Sequence, residues 1–282
     1  MNINWYPGHM KKTIESIQKN LKIVDVVFEL IDARIPYSSK NPNIDSIIGE
    51  KPKIVILNKS DLSSVEGNKK WEEFFSANMV KSVFLDSVSG KGIKRLLELS
   101  YELTDNRRIA FEKRGVISRP IRAMILGIPN VGKSTLINTL SGRKSAKIGN
   151  RPGITKHNQW IKIKNKLELL DTPGILWPKF EDKEVGINLA FTGAIKDEIL
   201  DIETLALRLI ERLVLYFPNL LENRYNIEIM GKSNLDIMED IGKKRGCIIK
   251  GGEIDYTLVS NIILDEFRKG KIGNITLEFP KE

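Results

Sequence analysis

Residues 122–135 read RAMILGIPNVGKST, and this stretch decides which fold the chain can adopt. The apolar run RAMIL is typical of a buried strand, and the pattern GKSTLINTL that closes the stretch is helical. Between them lies the spacing G-x-x-x-x-G-K-[ST], formed by Gly127, Gly132, Lys133 and Ser134. Glycines here let the backbone curl so that its N–H groups face a phosphate at a helix N-terminus. The sequence therefore predicts a strand, a phosphate-binding loop and a helix.

The residues of this loop divide between binding and chemistry. The ammonium group of Lys133 can reach the β and γ phosphates of a nucleotide, so Lys133 is a candidate for both binding and catalysis. The hydroxyl of Ser134 is a candidate Mg²⁺ ligand. The further candidate nucleotide-binding residues of the loop are Asn130, Val131, Gly132 and Thr135.

The tetrapeptide Asn-Lys-Ser-Asp at 58–61 follows the apolar run KIVIL and indicates which base is bound. The Asp61 carboxylate can accept hydrogen bonds from N1–H and the 2-amino group of guanine, whereas adenine offers neither donor. The Asn58 amide can contact guanine O6 and N7 or brace the loop, and the Lys59 stem can lie along the base. A polar turn after a strand often has this pattern, but its pairing with a phosphate loop favours a guanine nucleotide.

Three further segments supply candidate contacts. The turn DSVSG, which contains Ser87, can close over the base with backbone N–H groups. In DTPG at 171–174, Asp171 can hold Mg²⁺ through water, and the Gly174 N–H can meet the γ-phosphate as part of the catalytic machinery. Thr155 lies in the loop before DTPG and offers a second hydroxyl ligand for Mg²⁺ in the triphosphate state.

The order of these motifs along the chain is informative. In ordinary GTPases the phosphate loop precedes the threonine, D-x-x-G and N-K-x-D, whereas here N-K-x-D and the Ser87 turn come first. A parallel sheet tolerates such a circular permutation because its elements keep their places while the termini move. The DTPG segment therefore runs directly into the C-terminal part of the chain, so hydrolysis can change how that part is held.

Apolar runs and helical patterns alternate through the first part of the chain, which is typical of an α/β fold with a mostly parallel sheet covered by helices. Four runs predict strands: 24–33, 53–58, 122–127 and 167–171. Later stretches have helical patterns instead: 200–215, 234–244 and 257–268. We therefore expect a P-loop GTPase domain with circularly permuted motif order over 1–180. A small all-helical domain is expected over 181–282, with the boundary near 178–185.

Composition narrows the class of protein. The chain has 282 residues, two histidines and one cysteine, Cys247, which excludes an internal disulfide, argues against a structural zinc site and fits a reducing cytoplasm. No run approaches the roughly 18 apolar residues of a membrane span. The first residues, MNINWYPGHMKK, lack the apolar core of a signal peptide. We expect a cytoplasmic protein with no membrane partner.

Basic charge is concentrated in residues 1–200, which hold 33 of the 45 Lys and Arg but 22 of the 36 Asp and Glu. Such an excess favours a polyanionic partner, above all nucleic acid, with solubility as the alternative. Eight basic and no acidic residues lie in 143–166, around Trp160. This run can bind phosphates and stack on a base, or it is a solvated strand pair with a core tryptophan. Two smaller basic patches, at 107–114 and 242–246, are interpreted either as RNA contacts or as solvated surface.

Several motifs in combination resemble one family: WYPGHMKK (5–12), GIPNVGKST (127–135), RPGIT (151–155), DTPGILWPKFED (171–182) and GAIKDE (193–198). They are similar to motifs of the circularly permuted bacterial GTPases of ribosome assembly. The C-terminal region resembles, less distinctively, the helical RNA-binding domain of that family. The resemblance implies an enzyme that hydrolyses GTP to GDP and phosphate with Mg²⁺. It also implies binding to the large ribosomal subunit and its rRNA, a role in late maturation and departure after hydrolysis.

Catalysis is the point at which the motifs are incomplete. Many GTPases carry a glutamine after D-x-x-G to orient the attacking water, but here that residue is Ile175, which cannot hydrogen-bond to water. We expect weak hydrolysis by the isolated chain and stimulation by the ribosomal particle. The resemblance points to His9 as a water-positioning group or general base, with RNA contact or a structural role as the alternatives. It also implies that Asn130 helps to bind K⁺, with loop geometry as the alternative.

Two other functions stay open at this point. One is a GTPase that acts on another RNA, for instance a transfer RNA. The other is a GTP-gated RNA-binding module with little hydrolysis, which the isoleucine after D-x-x-G favours. The sequence has no Pro-rich or charged partner-binding tail, and we expect a monomer away from its target.

Overall fold

The computed structural model of the chain describes residues 9–112, 119–142, 159–163, 167–172, 174, 176 and 182–280, with the backbone alone given for 9–13, 106–112 and 159. Its strands are β1 (Val26–Asp32), β2 (Lys53–Asn58), β3 (Ser82–Leu85), β4 (Ile121–Gly127), β5 (Gln159–Ile163) and β6 (Leu167–Asp171). Its helices are α1 (His9–Leu21), α2 (Pro36–Ser39), α3 (Ile44–Ile48), α4 (Val65–Ala77), α5 (Ile93–Glu112), α6 (Lys133–Ser141), α7 (Lys183–Phe191), α8 (Ile202–Tyr216), α9 (Pro218–Tyr225), α10 (Asn234–Arg245) and α11 (Tyr256–Arg268).

The strands form one sheet of six in the order β3-β2-β1-β4-β6-β5. All neighbours pair in parallel except β5, which is an antiparallel edge strand beside β6. This arrangement confirms the predicted α/β fold. The edge strand β5 lies within the basic run 143–166. Of the two interpretations of that run, the strand with a core tryptophan therefore applies to residues 159–163. Its Trp160 packs against core side chains, with the guanidinium carbon of Arg122 at 5.6 Å from the ring centroid.

The central strand β1 shows why this sequence becomes a buried strand. All of its residues, VVFELID, are buried, as expected for a parallel strand with helices on both faces. Phe28 and Leu30 join the apolar cluster on one face of the sheet, whereas Val27 and Ile31 join clusters on the other. Burying each such side chain contributes about 1.5–3 kcal/mol.

The core does not stop where the sheet ends. A single cluster of buried apolar side chains includes Phe28 and Ile125 of the sheet together with Leu209 of α8 and Ile263 of α11. The C-terminal helices therefore share one continuous core with the sheet.

The predicted helices at 200–215, 234–244 and 257–268 are confirmed as α8, α10 and α11. Their starts have local causes, because Asp201 and Asp255 cap α8 and α11, and Ser233 with Asp236 forms a capping box at α10. Within the described ranges, none of the helices is long and apolar enough to cross a bilayer.

The chain beyond α11 was not anticipated as an element. Residues 270–280, which we name the C-terminal strap, run back across the first part of the fold. The Ile275 N–H donates to the Leu62 carbonyl at 2.9 Å, and the Leu277 N–H donates to the Arg34 carbonyl at 2.8 Å. Trp71 Nε1 donates to the carbonyl of Glu278 at 2.8 Å. The strap thus crosses the loop that follows β2.

Candidate active site

The carboxyl ends of four parallel strands bring the predicted motifs to one edge of the sheet. Asn58 ends β2, Gly127 ends β4 and Asp171 ends β6, while Asp86 directly follows β3. Ligands of open α/β sheets bind at this edge. The structure thus places the two halves of the permuted motif set side by side.

Asn58 joins the base-side and phosphate-side loops. Its side chain is 1% exposed. Its Nδ2 donates to the Val131 carbonyl at 2.7 Å, and its Oδ1 accepts from the backbone N–H and the hydroxyl of Ser87 at 3.1 and 2.6 Å. Thr139 of α6 donates to the Ser87 carbonyl at 2.6 Å. Of the two roles open to Asn58, the geometry shows the brace.

The glycines of the phosphate loop are required by close approach. A Cβ on Gly132 would overlap Nδ2 of Asn58. A Cβ on Gly127 would lie 2.6 Å from the Leu30 carbonyl oxygen. Both positions therefore exclude larger residues, which is the reason the spacing G-x-x-x-x-G is readable in the sequence.

Lys133 lies over the loop to which it belongs. Its Nζ donates to the carbonyls of Gly127 and Ile128 at 3.0 and 2.8 Å. Burial lowers the pKa of Lys133 to about 8, and the opposing attraction of the Asp171 carboxylate is too small to restore it. The ammonium group is thus held ready at the phosphate end, and negative charge beside it would keep it protonated.

The DTPG segment packs directly on the phosphate loop. Asp171 is buried at the end of β6, and the Thr172 hydroxyl donates to the Ile125 carbonyl at 2.5 Å. A Cβ on Gly174 would lie 2.8 Å from the Pro129 nitrogen, so a larger residue would push the two segments apart. The glycine of D-x-x-G is therefore in contact with the loop whose phosphate it is expected to sense.

The base-side loop is built from Lys59 and Asp61. Lys59 has a left-handed backbone with φ of 59°, and its Nζ lies 3.0 Å from Oδ2 of Asp32. Asp61 is exposed at the same edge. In the neighbouring turn, the Ser87 N–H donates to Asn58 and the Val88 N–H donates to Asp86 Oδ1 at 2.7 Å. These two N–H groups brace the turn, which differs from the expected use toward a base.

Asn130 contacts Gly193, which none of the motifs predicts. Its φ is 57°, and its Nδ2 donates to the Gly193 carbonyl at 2.6 Å. Gly193 follows α7 and begins the GAIKDE stretch, so the phosphate loop touches the first segment of the helical part. In the sequence, the phosphate loop and the GAIKDE stretch are two separate motifs, and neither indicates that they are in contact.

The remaining predicted residues have simple placements. Val131 is buried in the loop, and Ser134 and Thr135 lie half-buried in the first turn of α6. Thr155, Ile175 and the side chain of His9 lie outside the described residues.

Taken together, the permuted sheet, the phosphate loop and the two loops beside it define a GTP-hydrolysing enzyme of the P-loop class with circularly permuted motifs. Residues 122–228 match a family model described as "50S ribosome-binding GTPase". Ribosome biogenesis GTPase A of Priestia megaterium is 46% identical over 283 residues, which covers 100% of this chain and 98% of the relative. The chain belongs to the ribosome biogenesis GTPase A family.

Solved structures show the same architecture. A GNP-bound structure of YlqF from T. maritima has a TM-score of 0.66 at 26% identity, covering 96% of this chain and 99% of that one. A GDP-bound YlqF structure has a TM-score of 0.67 at 26% identity, covering 95% and 100%. The predicted enzyme class and permuted fold are thereby confirmed, and the chain binds guanine nucleotides.

Proposed function

We propose that the chain is an assembly factor that binds the large ribosomal subunit and its rRNA, acts in late maturation and hydrolyses GTP faster on that particle. The observation that carries the proposal is the contact of Gly174 and Gly193 with Pro129 and Asn130 of the phosphate loop. A change at the γ-phosphate would therefore reach the exit into the helical part. The matched description, "50S ribosome-binding GTPase", supports the choice of partner.

Two parts of the sheet edge contact the nucleotide in this proposal, one the base and the other the phosphates. In this proposal Lys59 and Asp61 read guanine, while Asn58 and Ser87 hold the base-side loop against the phosphate loop. Residues 130–135 cradle the phosphates with backbone N–H groups, next to the N-terminus of α6. We assign residues 1–180 to this GTPase domain and 181–282 to the helical domain that meets RNA.

Lys133 and Gly174 are the proposed catalytic groups at the phosphates. The Lys133 ammonium is prepositioned by two loop carbonyls, so it needs little rearrangement to stabilise charge that develops on the transferred phosphoryl group. The close approach of Gly174 to Pro129 of the phosphate loop supports the assignment of its N–H to the γ-phosphate.

The donor set at this edge fits Mg²⁺. Ser134 offers a hydroxyl in the first turn of α6, and the Asp171 carboxylate is buried close enough to Lys133 to affect its pKa. Oxygen donors of this kind suit a hard cation. We propose Ser134 and Thr155 as direct ligands and Asp171 as a ligand through water. When bound, the cation would neutralise charge between the β and γ phosphates.

Two assignments complete the proposed chemistry. His9 would orient the attacking water, because Ile175 supplies no polar group for that role. Asn130 would help to bind K⁺ against the phosphates. Its Nδ2 donates to the Gly193 carbonyl, which fixes the plane of the amide at the phosphate loop.

Co-sedimentation tests the proposed partner. We expect the full-length chain with a non-hydrolysable GTP analogue to sediment with purified large subunits, and with GDP to bind about tenfold more weakly, because RNA affinity follows nucleotide state. Binding should also weaken steeply with salt, as phosphate contacts do. Reversing the charges of Arg143, Lys144, Lys147 and Arg151 to glutamate should reduce binding.

Lys69→Glu on the exposed face of α4 is a control for reversing a single surface charge outside the basic run. It should leave sedimentation unchanged. Equal binding to small subunits, or large-subunit binding that is the same with GDP and with the analogue, would contradict the proposed partner and its control by nucleotide. Binding to a transfer RNA in place of the subunit would favour the other RNA class.

A further inference from the structure

A buried ion cluster lies at the carboxyl end of β1, beside the base-side loop. Arg34 and Asp32 are each about 1% exposed. Arg34 Nε donates to Asp32 Oδ1 at 2.9 Å and Nη2 donates to Oδ2 at 2.8 Å, while the Arg34 backbone N–H also donates to Oδ1 at 3.1 Å. Nζ of Lys59 lies 3.0 Å from the same Oδ2. One carboxylate therefore holds both cations.

The cluster holds two cations and one carboxylate, so Asp32 offsets only part of its positive charge. Burial alone would raise the pKa of Asp32, but Arg34 and Lys59 hold that pKa well below its usual value. Asp32 is therefore ionised at neutral pH and remains an anchor for the Lys59 ammonium. Loss of either cation would weaken the attraction that keeps the buried Asp32 carboxylate ionised.

The anchor controls the direction of Lys59. A left-handed backbone is disfavoured for lysine and persists where surrounding contacts over-determine it. Two contacts do so here: the Asp32 carboxylate holds the ammonium, and the Ala33 N–H donates to the Asn58 carbonyl at 2.8 Å. The Lys59 stem, the proposed platform for the base, is thereby fixed from the Asp32 side.

The other side of Arg34 reaches the helical part. Its Nη1 lies 3.4 Å from both the Phe267 and the Arg268 carbonyl oxygens, at the last turn of α11. Its guanidinium carbon lies 5.2 Å from the centroid of the Phe267 ring. Backbone N–H groups of the strap donate to the Arg34 and Leu62 carbonyls. The segment made of α11 and the strap therefore contacts both Arg34 and the residue that follows the base-side loop.

We propose that Arg34 is a positioning residue for guanine recognition: through Asp32 it fixes Lys59, and through Phe267 and Arg268 it makes this fixation depend on the last turn of α11. The inference rests on the proposed assignment of Lys59 and Asp61 to the base. By reciprocity, a bound guanine base stiffens the turn of α11 and the strap. Discrimination between bases and placement of the helical part are then one linked property.

The same strand supplies a control. Asp25 lies just before β1, and Arg119 binds it bidentately through Nη1 and Nη2, with both N···O distances at 2.8 Å. The Arg119 side chain is 41% exposed, whereas that of Arg34 is 1% exposed. That pair is at the amino end of β1, opposite the nucleotide edge. It shows the effect of losing a bidentate, more exposed Asp–Arg pair that has no contact with the base-side loop.

Affinity for GDP and ADP tests the proposal in the full chain. Arg34→Lys keeps the charge but loses the fork, so the preference for GDP over ADP should fall about tenfold, as for lost hydrogen bonds to a charged group. KM for GTP should rise by a similar factor while kcat changes less than about twofold, since the phosphate side is untouched. Arg119→Lys should leave the preference within about twofold. An unchanged preference, or equal weakening of GDP and ADP, would overturn the positioning role.

Phe267→Leu provides a second test if Arg34→Lys does not fold. It removes the α11 aromatic ring that packs on the Arg34 guanidinium. The preference for GDP over ADP should therefore fall, as it does for Arg34→Lys. In the parent chain, GDP should slow hydrogen exchange at the Ile275 and Leu277 amides more than ADP does. No difference between the two nucleotides would overturn the link to the strap. Asp61→Asn separates failures: if it removes guanine preference while Arg34→Lys does not, only this inference fails.

Discussion

Replacing Asp61 by asparagine is expected to move the nucleotide preference from guanosine to xanthosine by about 10²–10³-fold. In the proposed assignment the Asp61 carboxylate accepts from two donors of guanine, whereas an amide would face the 2-amino group with its own donors. Xanthine carries an oxygen at that position and accepts from the amide. Asp61 is exposed at the edge of the sheet, so the substitution removes no buried contact. Displacement of a fluorescent nucleotide by GDP and XDP measures the two affinities.

The control for this switch is Glu66→Gln, which neutralises an exposed carboxylate at the start of α4 near the same loop. It should leave both affinities within about twofold. If the Asp61 variant kept the parent preference for GDP over XDP, the assignment of residues 58–61 to the base would be wrong.

Lys133→Ala is expected to reduce kcat for GTP about 10³-fold, because a prepositioned cation at the transferred phosphoryl group stabilises charge that develops in the transition state. The side chain is buried and its ammonium donates to two loop carbonyls, so the structure already holds it at the phosphate loop. Single-turnover hydrolysis at saturating GTP separates this loss from weaker binding.

Lys91→Ala is the matched change for Lys133→Ala, because Lys91 is an exposed lysine in the turn after β3. Its kcat should stay within about twofold of the parent value. Thermal unfolding of both variants shows whether the loop still folds. A Lys133 variant that binds GTP, unfolds like the parent and keeps its kcat would remove Lys133 from the catalytic groups.

Local patterns were sufficient for much of the fold and for the motifs. The spacing at 127–134 can be recognised in the sequence because close contacts with Leu30 and Asn58 leave no room for a side chain at Gly127 and Gly132. The buried strands are readable because the sheet is covered on both faces. The permuted order followed from comparing motif positions, since each motif keeps its own strand and edge.

The contacts that link the sheet to the helical part were not readable in this way. Asn130 and Gly193 are 63 residues apart in sequence, and Arg34 and Phe267 are 233 apart. No local periodicity reports pairing at such distances. A weak signal for Arg34 did exist, because Asp-Ala-Arg at the carboxyl end of a fully buried strand places two charges at the nucleotide edge.

Two interpretations of the base-side loops also needed coordinates. An asparagine in N-K-x-D can contact a base or a neighbouring loop, and only distances show that Asn58 spans Val131 and Ser87. The N–H groups of Ser87 and Val88 donate to the side chains of Asn58 and Asp86. The sequence shows which residues can donate hydrogen bonds, but it does not show which groups accept them.

The measurement that tests the central claim most directly is GTP turnover by the full chain in potassium buffer, with and without purified large ribosomal subunits. Because Ile175 supplies no water-orienting group, we expect slow turnover alone and at least about tenfold stimulation by the subunits. Turnover that stays unchanged while the chain binds the subunits would contradict a ribosome-stimulated GTPase. It would favour a GTP-gated binding module instead.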